Sequence, residues 1–314
     1  MLDLQNAEVF RGALESLQAG VCVVDHDRKI RYWNEGAERI TGYLRQEVLG
    51  RFCGDILLIG SHEKKAELCG QYCPLVAAMR DGQSREARVY LHHKSGYAVP
   101  VSLRAGPIRD AAGHVIGATE SFVERSWGGS QRRPDSNLAI GHGLDVLTQL
   151  PDYLFTETYL ADRLKFASQH IIPFGLLRIQ LDHLDILTAT HGLEAAEAIL
   201  NVIAHTLRNG IDPQDFVGRW SDDQFLAIAA NCSVDELLTT AERLKRLAHS
   251  SEIIWWGDEL SVTVSVGGTV LAPGEPLEVL WGRAGSALKG ATAQGGNSAV
   301  ILGAPETPLM NKEN

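Results

Sequence analysis

Three cysteines in the first half of the chain are spaced so that they could bind a metal or react together: Cys53, Cys69 and Cys73. Cys69 and Cys73 are four residues apart, and on a helix this spacing places both sulfur atoms on one face, as a shared soft metal ion or an iron–sulfur cluster requires. His62 is a candidate fourth ligand. Because the spacing matches no recognised zinc motif, two other interpretations stay open: separate small apolar core residues, or a thiol redox switch.

A second candidate site is a short acidic turn in the other half of the chain. Residues 216–218 and 225–229 are apolar runs typical of β-strands, and the polar residues between them predict the turn of a β-hairpin. The residues of this turn and its exit are Ser221, Asp222, Asp223, Gln224 and Phe225.

The length and composition of the chain limit the classes of protein that could contain these two candidate sites. A chain of 314 residues favours two domains, each with its own core. No apolar run approaches membrane-spanning length and the first residues do not form a signal peptide, so we expect a cytoplasmic protein. A formal net charge of −10 without a basic patch argues against a nucleic-acid surface. Five cysteines, an odd number, make a disulfide framework unexpected.

The first half shows helix, strand and turn signals in a characteristic order. Asn34 is predicted to cap a helix that Gly42 ends. Three alternating strand patterns follow, at residues 87–92, 98–104 and 115–123. The signature positions are Trp33, Asn34, Ala37, Glu38, Thr41, Gly42, Tyr43, Glu47 and Gly50.

These residues resemble the PAS sensor family, whose signature is Trp-Asn-x-x-Ala-Glu-x-x-Thr-Gly-Tyr followed by Glu-x-x-Gly. The resemblance covers residues 1–125 and implies a five-stranded antiparallel sheet that cups short helices and serves to sense a ligand or to dimerise. Residues 126–144 are rich in helix-breaking residues and predict a flexible linker. The tail, residues 304–314, is predicted to be disordered.

The second half, residues 145–303, alternates helix and strand patterns, including a buried strand over 174–182 and one continuous strand over 260–269. Residues 145–153 resemble the Asp-x-Leu-Thr-Gly-Leu-Pro-Asn-Arg opening of the GGDEF family, the diguanylate cyclases. The hairpin at 219–225 resembles that family's Arg-aromatic-Gly-Gly-Asp/Glu-Glu-Phe signature. The resemblance implies an α/β sandwich of the ferredoxin-like, palm-like kind after an α+β PAS domain.

The GGDEF resemblance also implies a reaction, in which the 3′-hydroxyl of one GTP attacks the α-phosphate of another across a dimer. Carboxylates must hold Mg²⁺, and cations must offset the charge of the triphosphate. The family holds the metal with the first aspartate of Asp-x-Asp-x-Phe-Lys and the acidic third residue of the hairpin. The aligned residues here are Gln180 and Asp223, while Asp182 occupies the second aspartate position.

Other positions that the family uses for GTP also differ. Its phosphate-binding lysine aligns with Asp185, and the last-helix lysine and arginine align with Thr292 and Gly296. The guanine-reading residues align with Thr188 and Glu197, of which Glu197 can still accept a hydrogen bond from guanine. The site is therefore more negative than the family pattern, which opposes the binding of an anionic triphosphate.

The family's product-binding motif, Arg-x-x-Asp, aligns with residues 212–215. Asp215 keeps the acid, but Asp212 stands where the family has arginine, so the motif lacks its bidentate partner for phosphate and guanine.

We therefore expect a bacterial PAS–GGDEF signal-transduction protein of the cyclic-di-GMP network. Its degenerate, non-catalytic cyclase-like domain is expected to act as a regulatory, interaction or nucleotide-binding module, with Asp223 as a catalytic remnant and Asp182 and Glu197 as nucleotide-binding remnants. The alternative is an active diguanylate cyclase that makes cyclic-di-GMP from two GTP. Expected partners are a second copy in a homodimer, proteins of the cyclic-di-GMP network, and GTP with Mg²⁺ if any nucleotide binds.

Overall fold

The computed structural model describes residues 7–57, 73–125, 143–170 and 172–303. The chain divides into two compact units: the first half of the sequence together with Ser250–Ile254 forms one, and the rest of the second half forms the other. The predicted tail lies outside the described residues, as does the predicted linker apart from residues 143 and 144. None of the helices in the described ranges is long and apolar enough to cross a membrane.

A five-stranded antiparallel sheet forms the first unit, in the order β2-β1-β5-β4-β3. This is the sheet that the sequence predicts. The strands are β1 (Gly20–Asp25), β2 (Ile30–Trp33), β3 (Arg85–His92), β4 (Ala98–Arg109) and β5 (Val115–Glu124). The described helices of this unit are α1 (Ala7–Glu15), α2 (Glu35–Thr41), α3 (Arg45–Val48), α4 (Cys53–Leu57) and α5 (Pro74–Asp81).

The core of this unit lies between the sheet and the short helices. Trp33 and Phe122 are both fully buried there, with ring centroids 6.1 Å apart. The predicted cap of α2 is confirmed, because the Asn34 side chain accepts a hydrogen bond from the backbone N–H of Ala37 at 2.9 Å. Gly42 ends the helix with φ +74°, a left-handed conformation that glycine adopts without a Cβ penalty.

The second unit is built on a five-stranded sheet in the order β12-β11-β6-β8-β7. Strands β11 and β12 are parallel, and the other neighbours are antiparallel. The strands of this sheet are β6 (Phe174–Leu181), β7 (Phe216–Arg219), β8 (Gln224–Ala230), β11 (Val264–Val270) and β12 (Ala299–Leu302). Strands β9 (Glu252–Trp255) and β10 (Asp258–Ser261) form a separate two-stranded hairpin, of which residues 252–254 belong to the first unit. The described helices are α6 (Tyr153–His170), α7 (Leu184–His191), α8 (Leu193–Gly210), α9 (Val234–His249) and α10 (Leu277–Ala293).

Strand β6 lies in the middle of this sheet and is buried along most of its length, as its apolar run predicts. Leu160 of α6 and Leu280 and Ala284 of α10 join one core cluster with residues of β6, β7 and β8, so these two helices cover one face of the sheet. The carboxyl end of β6 lies beside the turn of the β7–β8 hairpin, where Gln180 pairs with Gln224, and this position holds the candidate site.

One sequence prediction about this sheet is wrong. The continuous strand predicted over residues 260–269 is two strands, β10 and β11, separated at Val262 and Thr263. The carbonyl of Thr263 accepts a hydrogen bond from the backbone N–H of Asp182 at 2.9 Å, and the Thr263 hydroxyl donates to the Asp182 carboxylate. Because the apolar pattern runs through this break, only the tertiary contact with Asp182 reveals it.

Candidate functional site

The acidic turn closes the β7–β8 hairpin, as predicted from the sequence. Arg219 holds the turn together: its Nε donates to the carbonyl of Ser221 and an Nη donates to the carbonyl of Asp222, both at 2.6 Å. The side chains of Ser221 and Asp222 are exposed at the tip. The only arginine of the hairpin motif is therefore used to fold the turn.

Asp223 and Gln180 face each other where the hairpin meets the end of β6. The backbone N–H of Leu181 donates to the Asp223 carbonyl at 2.9 Å, which fixes the two segments side by side. The Gln180 amide donates from Nε2 to Oδ2 of Asp223 at 2.9 Å, and the Ser221 hydroxyl donates to Oδ1 at 3.2 Å. Each oxygen of the Asp223 carboxylate therefore accepts a hydrogen bond from a neighbouring side chain.

Gln224 is held by a stack of side chains on the face of the sheet that α6 and α10 cover. Arg178 of β6 donates from an Nη to Oε1 of Gln224 at 3.0 Å, and its guanidinium lies 4.3 Å from the ring centroid of Trp281. Trp281 contacts Trp220 with centroids 4.6 Å apart, and Trp220 contacts Tyr153 at 4.8 Å. Burial lowers the pKa of Arg178 from its usual value, but an arginine keeps its charge at neutral pH.

Sequence reasoning missed this stack. The available signals were an arginine inside a buried strand and a tryptophan in the last helix, but neither belongs to a motif that pairs them. Such residues meet only through the packing of α10 on β6, which no local pattern specifies. The stack joins β6, α10, the hairpin turn and the start of α6, so it fixes the hairpin in one position.

Asp182 is buried, with 8% of its surface exposed, and its carboxylate accepts three hydrogen bonds from the fold. Oδ2 accepts from the Thr263 hydroxyl at 2.6 Å and from the backbone N–H of Asn297 at 2.8 Å, and Oδ1 accepts from the Ser265 hydroxyl at 2.6 Å. Gly296 approaches closely at φ +85°, where a Cβ would lie 2.9 Å from the carboxylate. Asp182 therefore connects the end of β6 to β11 and to the loop before β12.

Comparison with known protein families decides what this arrangement belongs to. The family model described as "Diguanylate cyclase, GGDEF domain" matches residues 142–298, half of the 314-residue chain. The chain belongs to the GGDEF family. A model described as "PAS fold" matches residues 8–119, so a PAS domain precedes the GGDEF domain.

Individual relatives are distant. "Probable diguanylate cyclase DgcE" of Escherichia coli (strain K12) is 24% identical over 267 residues, which is 85% of this chain and 24% of the relative. "Diguanylate cyclase DosC" of the same strain is 26% identical over 126 residues, 40% of this chain and 27% of the relative. The chain thus spans about a quarter of the length of these relatives. The GGDEF domain of DgcB from Caulobacter crescentus, solved in complex with c-di-GMP, superimposes with a TM-score of 0.50 at 21% identity, covering 52% of this chain and 96% of that one, and shows the fold.

The remaining predicted nucleotide-binding positions of the GGDEF domain lie on two consecutive helices. Thr188 of α7 donates its hydroxyl to the carbonyl of Leu184 at 2.7 Å, so the helix backbone already uses that donor. Glu197 of α8 is exposed. Asp185, where the family pattern has lysine, is exposed in the first turn of α7. An acid near the start of a helix strengthens the repulsion that an incoming phosphate meets.

The aligned product-binding segment borders a cavity of about 230 Å³, and the structure places an arginine there that the sequence motif did not reveal. This residue is Arg243 of α9, whose Nη lies 3.5 Å from Oδ2 of Asp212. Asp215 accepts a hydrogen bond from the backbone N–H of Ala230, and burial raises its pKa to about 6. The cavity therefore contains an arginine that Asp212 partly neutralises and a second acid beside it.

The cysteines of the PAS domain are brought together only in part. Cys53 is buried in α4, and Cys73 directly precedes α5 as its N-cap residue. Cys69 and His62 lie outside the described residues. Within the described ranges, no group of three or more His, Cys, Asp and Glu side chains is arranged to hold a metal ion. The metal or iron–sulfur site at Cys53, Cys69, Cys73 and His62 therefore stays a prediction.

A buried carboxyl group lies among the PAS thiols, and sequence reasoning missed it. Glu120 of β5 is 5% exposed and is paired in register with Cys22 of β1. Burial raises the pKa of Cys22 well above its usual value, and the nearby Glu120 and Cys53 raise it further. Burial also raises the pKa of Cys73, with a further contribution from Glu120. These thiols are therefore protonated at neutral pH, which disfavours reactive thiolates in this state.

Glu120 should make the stability of the PAS domain depend on pH. Burial raises its pKa from the ordinary 4.5 to about 7, so the native state holds a proton that the unfolded state releases. The unfolding free energy should therefore fall as pH rises from about 4.5 to about 7, by about 3 kcal/mol in total. Urea unfolding between pH 4 and 8 should show this loss in the wild type but not in Glu120→Gln. Glu124→Gln, at an exposed position of the same strand, should keep the wild-type profile, and identical profiles for all three proteins would contradict the assignment.

Proposed function

We propose that this protein is a signalling protein of the cyclic-di-GMP network whose GGDEF domain acts by binding partners or nucleotide and does not synthesise cyclic-di-GMP. The observation that carries the proposal is the hydrogen bond from Gln180 Nε2 to Asp223 Oδ2. An amide donor occupies the position where the family pattern has a second carboxylate. Gln180 and Asp223 together therefore carry one negative charge, on a carboxylate that is already hydrogen bonded. Mg²⁺ needs several anionic oxygens.

The residues present do not fit the Mg²⁺ that the family reaction requires. Asp223 shares its oxygens with Gln180 and Ser221, and the oxygens of Asp182 accept three donors from the fold. Freeing either carboxylate would break hydrogen bonds that position the hairpin or the end of β6. A cation at this place would have to compete with hydrogen bonds that already occupy the carboxylate oxygens.

The charges around the hairpin also support a non-catalytic role. The arginine of the hairpin holds the turn, and Arg178 is engaged by Gln224 and Trp281. Asp185 in the first turn of α7 and Asp222 at the hairpin tip are exposed acids at positions that the family pattern does not make acidic. Losing one group that stabilises the transition state commonly costs about 3 kcal/mol, so several simultaneous losses remove most of the rate enhancement.

The decisive measurement is mass-spectrometric detection of cyclic-di-GMP after incubation of the full chain with GTP and Mg²⁺ or Mn²⁺. We expect no product above that of a heat-inactivated sample, because one metal-binding carboxylate and the cations that offset the triphosphate charge are missing. An active diguanylate cyclase of similar fold serves as the positive control. Product that disappears in Asp223→Ala would establish the alternative, an active cyclase with an unusual ligand set.

The roles of partners follow from the same proposal. We infer a homodimer, protein partners in cyclic-di-GMP signalling and, if nucleotide binds, GTP without turnover. The DgcB structure is a complex of a GGDEF domain with c-di-GMP, which makes this nucleotide the first ligand to test. A GTP-dependent rise in melting temperature without product would distinguish a nucleotide-binding module from a purely protein-binding one.

For the PAS domain we propose that Cys53, Cys69 and Cys73, with His62, hold a soft metal or an iron–sulfur cluster. Elemental analysis and acid-labile sulfide measurement on anaerobically purified protein test this directly. We expect metal that is lost in Cys53→Ala and retained in Cys232→Ala, because Cys232 belongs to the GGDEF domain. Equal metal content in the two variants would contradict the proposal.

A further inference from the structure

The cavity beside α9 contains hydrogen-bond donors that the fold leaves without partners. It has a volume of about 230 Å³ and lies between α9, the segment before β7 and the end of β8. Nε and Nη2 of Arg243 are buried there and have no hydrogen-bond partner among the described residues. These two atoms form one edge of the guanidinium, and such an edge can bind a carboxylate bidentately. Thr240, one turn earlier in α9, is 9% exposed, and its hydroxyl also makes no hydrogen bond within the described ranges. The cavity therefore contains three donors that need an acceptor.

Asp212 approaches the edge of Arg243 without satisfying it. Its Oδ2 lies 3.5 Å from Nη2 of Arg243, which is longer than the hydrogen bonds of about 2.8 Å that charged pairs form. The Asp212 side chain is 40% exposed, so it can turn towards water while the rest of the cavity keeps its place. The carboxylate of a ligand can therefore replace Asp212 on Arg243 and make the two hydrogen bonds that Asp212 does not make.

The same cavity also contains acids with unused acceptor sites. Asp215 accepts a hydrogen bond from the backbone N–H of Ala230 through Oδ1, and Glu236 accepts from the backbone N–H and the hydroxyl of Ser233 through Oε2. A carboxylate has about four acceptor sites, so both acids can accept further hydrogen bonds. Burial raises the pKa of Asp215 to about 6, and a cation beside it would stabilise its charged form. With Asp212, three acids and one arginine line the cavity, which gives the lining a formal charge of −2.

We propose that this cavity binds a free amino acid with a cationic side chain, such as L-arginine or L-lysine. The ligand carboxylate accepts from Arg243 and Thr240, while the α-ammonium group and the side-chain cation are held by Asp212, Asp215 and Glu236. The volume is below the range of about 300–1,000 Å³ that is usual for drug-sized ligands, so it suits a ligand of this small size.

Other classes of ligand match the cavity less well. A phosphate without a cation would be repelled by the three acids. A simple amine would leave the buried donors of Arg243 and Thr240 without an acceptor, which costs free energy in a site that is closed to water. A ligand that carries both a carboxylate and two cationic groups satisfies the donors and the acids together.

This inference goes beyond the proposed function, because none of the residues of the acidic turn lines the cavity. The first test is isothermal titration calorimetry of the full chain with L-arginine and with agmatine, the same molecule without its carboxylate. We expect L-arginine to bind and the dissociation constant of agmatine to be about tenfold higher, because agmatine cannot pair with Arg243. Equal affinities, or no binding of L-arginine or L-lysine at millimolar concentration, would overturn the proposal. Displacement of L-arginine by cyclic-di-GMP would also overturn it, since the cavity would then accept phosphates despite its acids.

The second test compares Arg243→Gln with Arg246→Gln, a matched control at an exposed position of the same helix outside the cavity. The preference for L-arginine over agmatine should vanish in Arg243→Gln and remain in Arg246→Gln. Both ligands are measured on the same protein, so a general loss of stability cannot produce this pattern. Thr240→Val keeps the shape of the side chain and removes one donor, so it should reduce the preference about threefold. An unchanged preference in Arg243→Gln or in Thr240→Val would rule out the proposed contacts of the carboxylate.

Discussion

Replacing Asp182 with alanine is expected to lower the unfolding free energy of the GGDEF domain by about 4 kcal/mol. The substitution leaves the hydroxyls of Thr263 and Ser265 and the backbone N–H of Asn297 without their acceptor. All three donors lie in a part-buried or buried environment where water replaces the carboxylate poorly. Urea unfolding followed by circular dichroism measures the loss.

Two further variants make this test specific. Asp182→Asn keeps the size and one acceptor oxygen, so we expect about half the loss. Asp222→Ala removes an exposed carboxylate from the hairpin tip and should change the unfolding free energy by less than about 0.5 kcal/mol. If Asp182→Ala behaves like Asp222→Ala, the carboxylate is not structural. The expected result would show that Asp182 has a structural role that does not depend on nucleotide binding.

The architecture is predictable because short stretches of sequence indicate most of its helices and strands. Alternating runs gave the strands of the PAS sheet, Asn34 and Gly42 marked the ends of α2, and an uninterrupted apolar run marked β6 as the central strand. Each of these signals depends on burial or on backbone geometry within a few residues. The family resemblances then supplied the order in which the elements pack.

The site was less predictable because its contacts join residues that are distant in sequence. The sequence identified Gln180 and Asp223 as altered metal positions, but not the hydrogen bond that couples them. The sequence predicts Asp182 to be a nucleotide-binding remnant, and only the structure reveals its three acceptor contacts. The break between β10 and β11 and the pairing of Arg178 with Trp281 were missed for the same reason: tertiary contacts override propensity without leaving a periodic signal.

Replacing Gln180 with aspartate should make the stability of the GGDEF domain depend on divalent metal. The substitution removes the hydrogen bond from the Gln180 amide to Asp223 and places a second carboxylate beside the first. Without metal, the lost hydrogen bond and the repulsion between like charges should lower the unfolding free energy by about 2 kcal/mol. Adding Mg²⁺ or Mn²⁺ at about one hundred times the dissociation constant should restore about 2.7 kcal/mol, because the cation binds only the folded state.

The comparison with wild type decides what the glutamine does. For wild type, the urea midpoint of unfolding should be the same with EDTA as with millimolar Mg²⁺. The same should hold for Gln180→Ala, since each protein has a single carboxylate at this place. A wild type that already gains stability from the metal would show that Asp223 and the Gln180 carbonyl oxygen suffice to bind it, and the non-catalytic proposal would lose its main support. Metal dependence confined to Gln180→Asp would instead identify the exchange of one carboxylate for an amide as the change that separates this domain from a metal-binding one. Because the readout is stability, this holds even though the other altered GTP positions still prevent turnover in the variant.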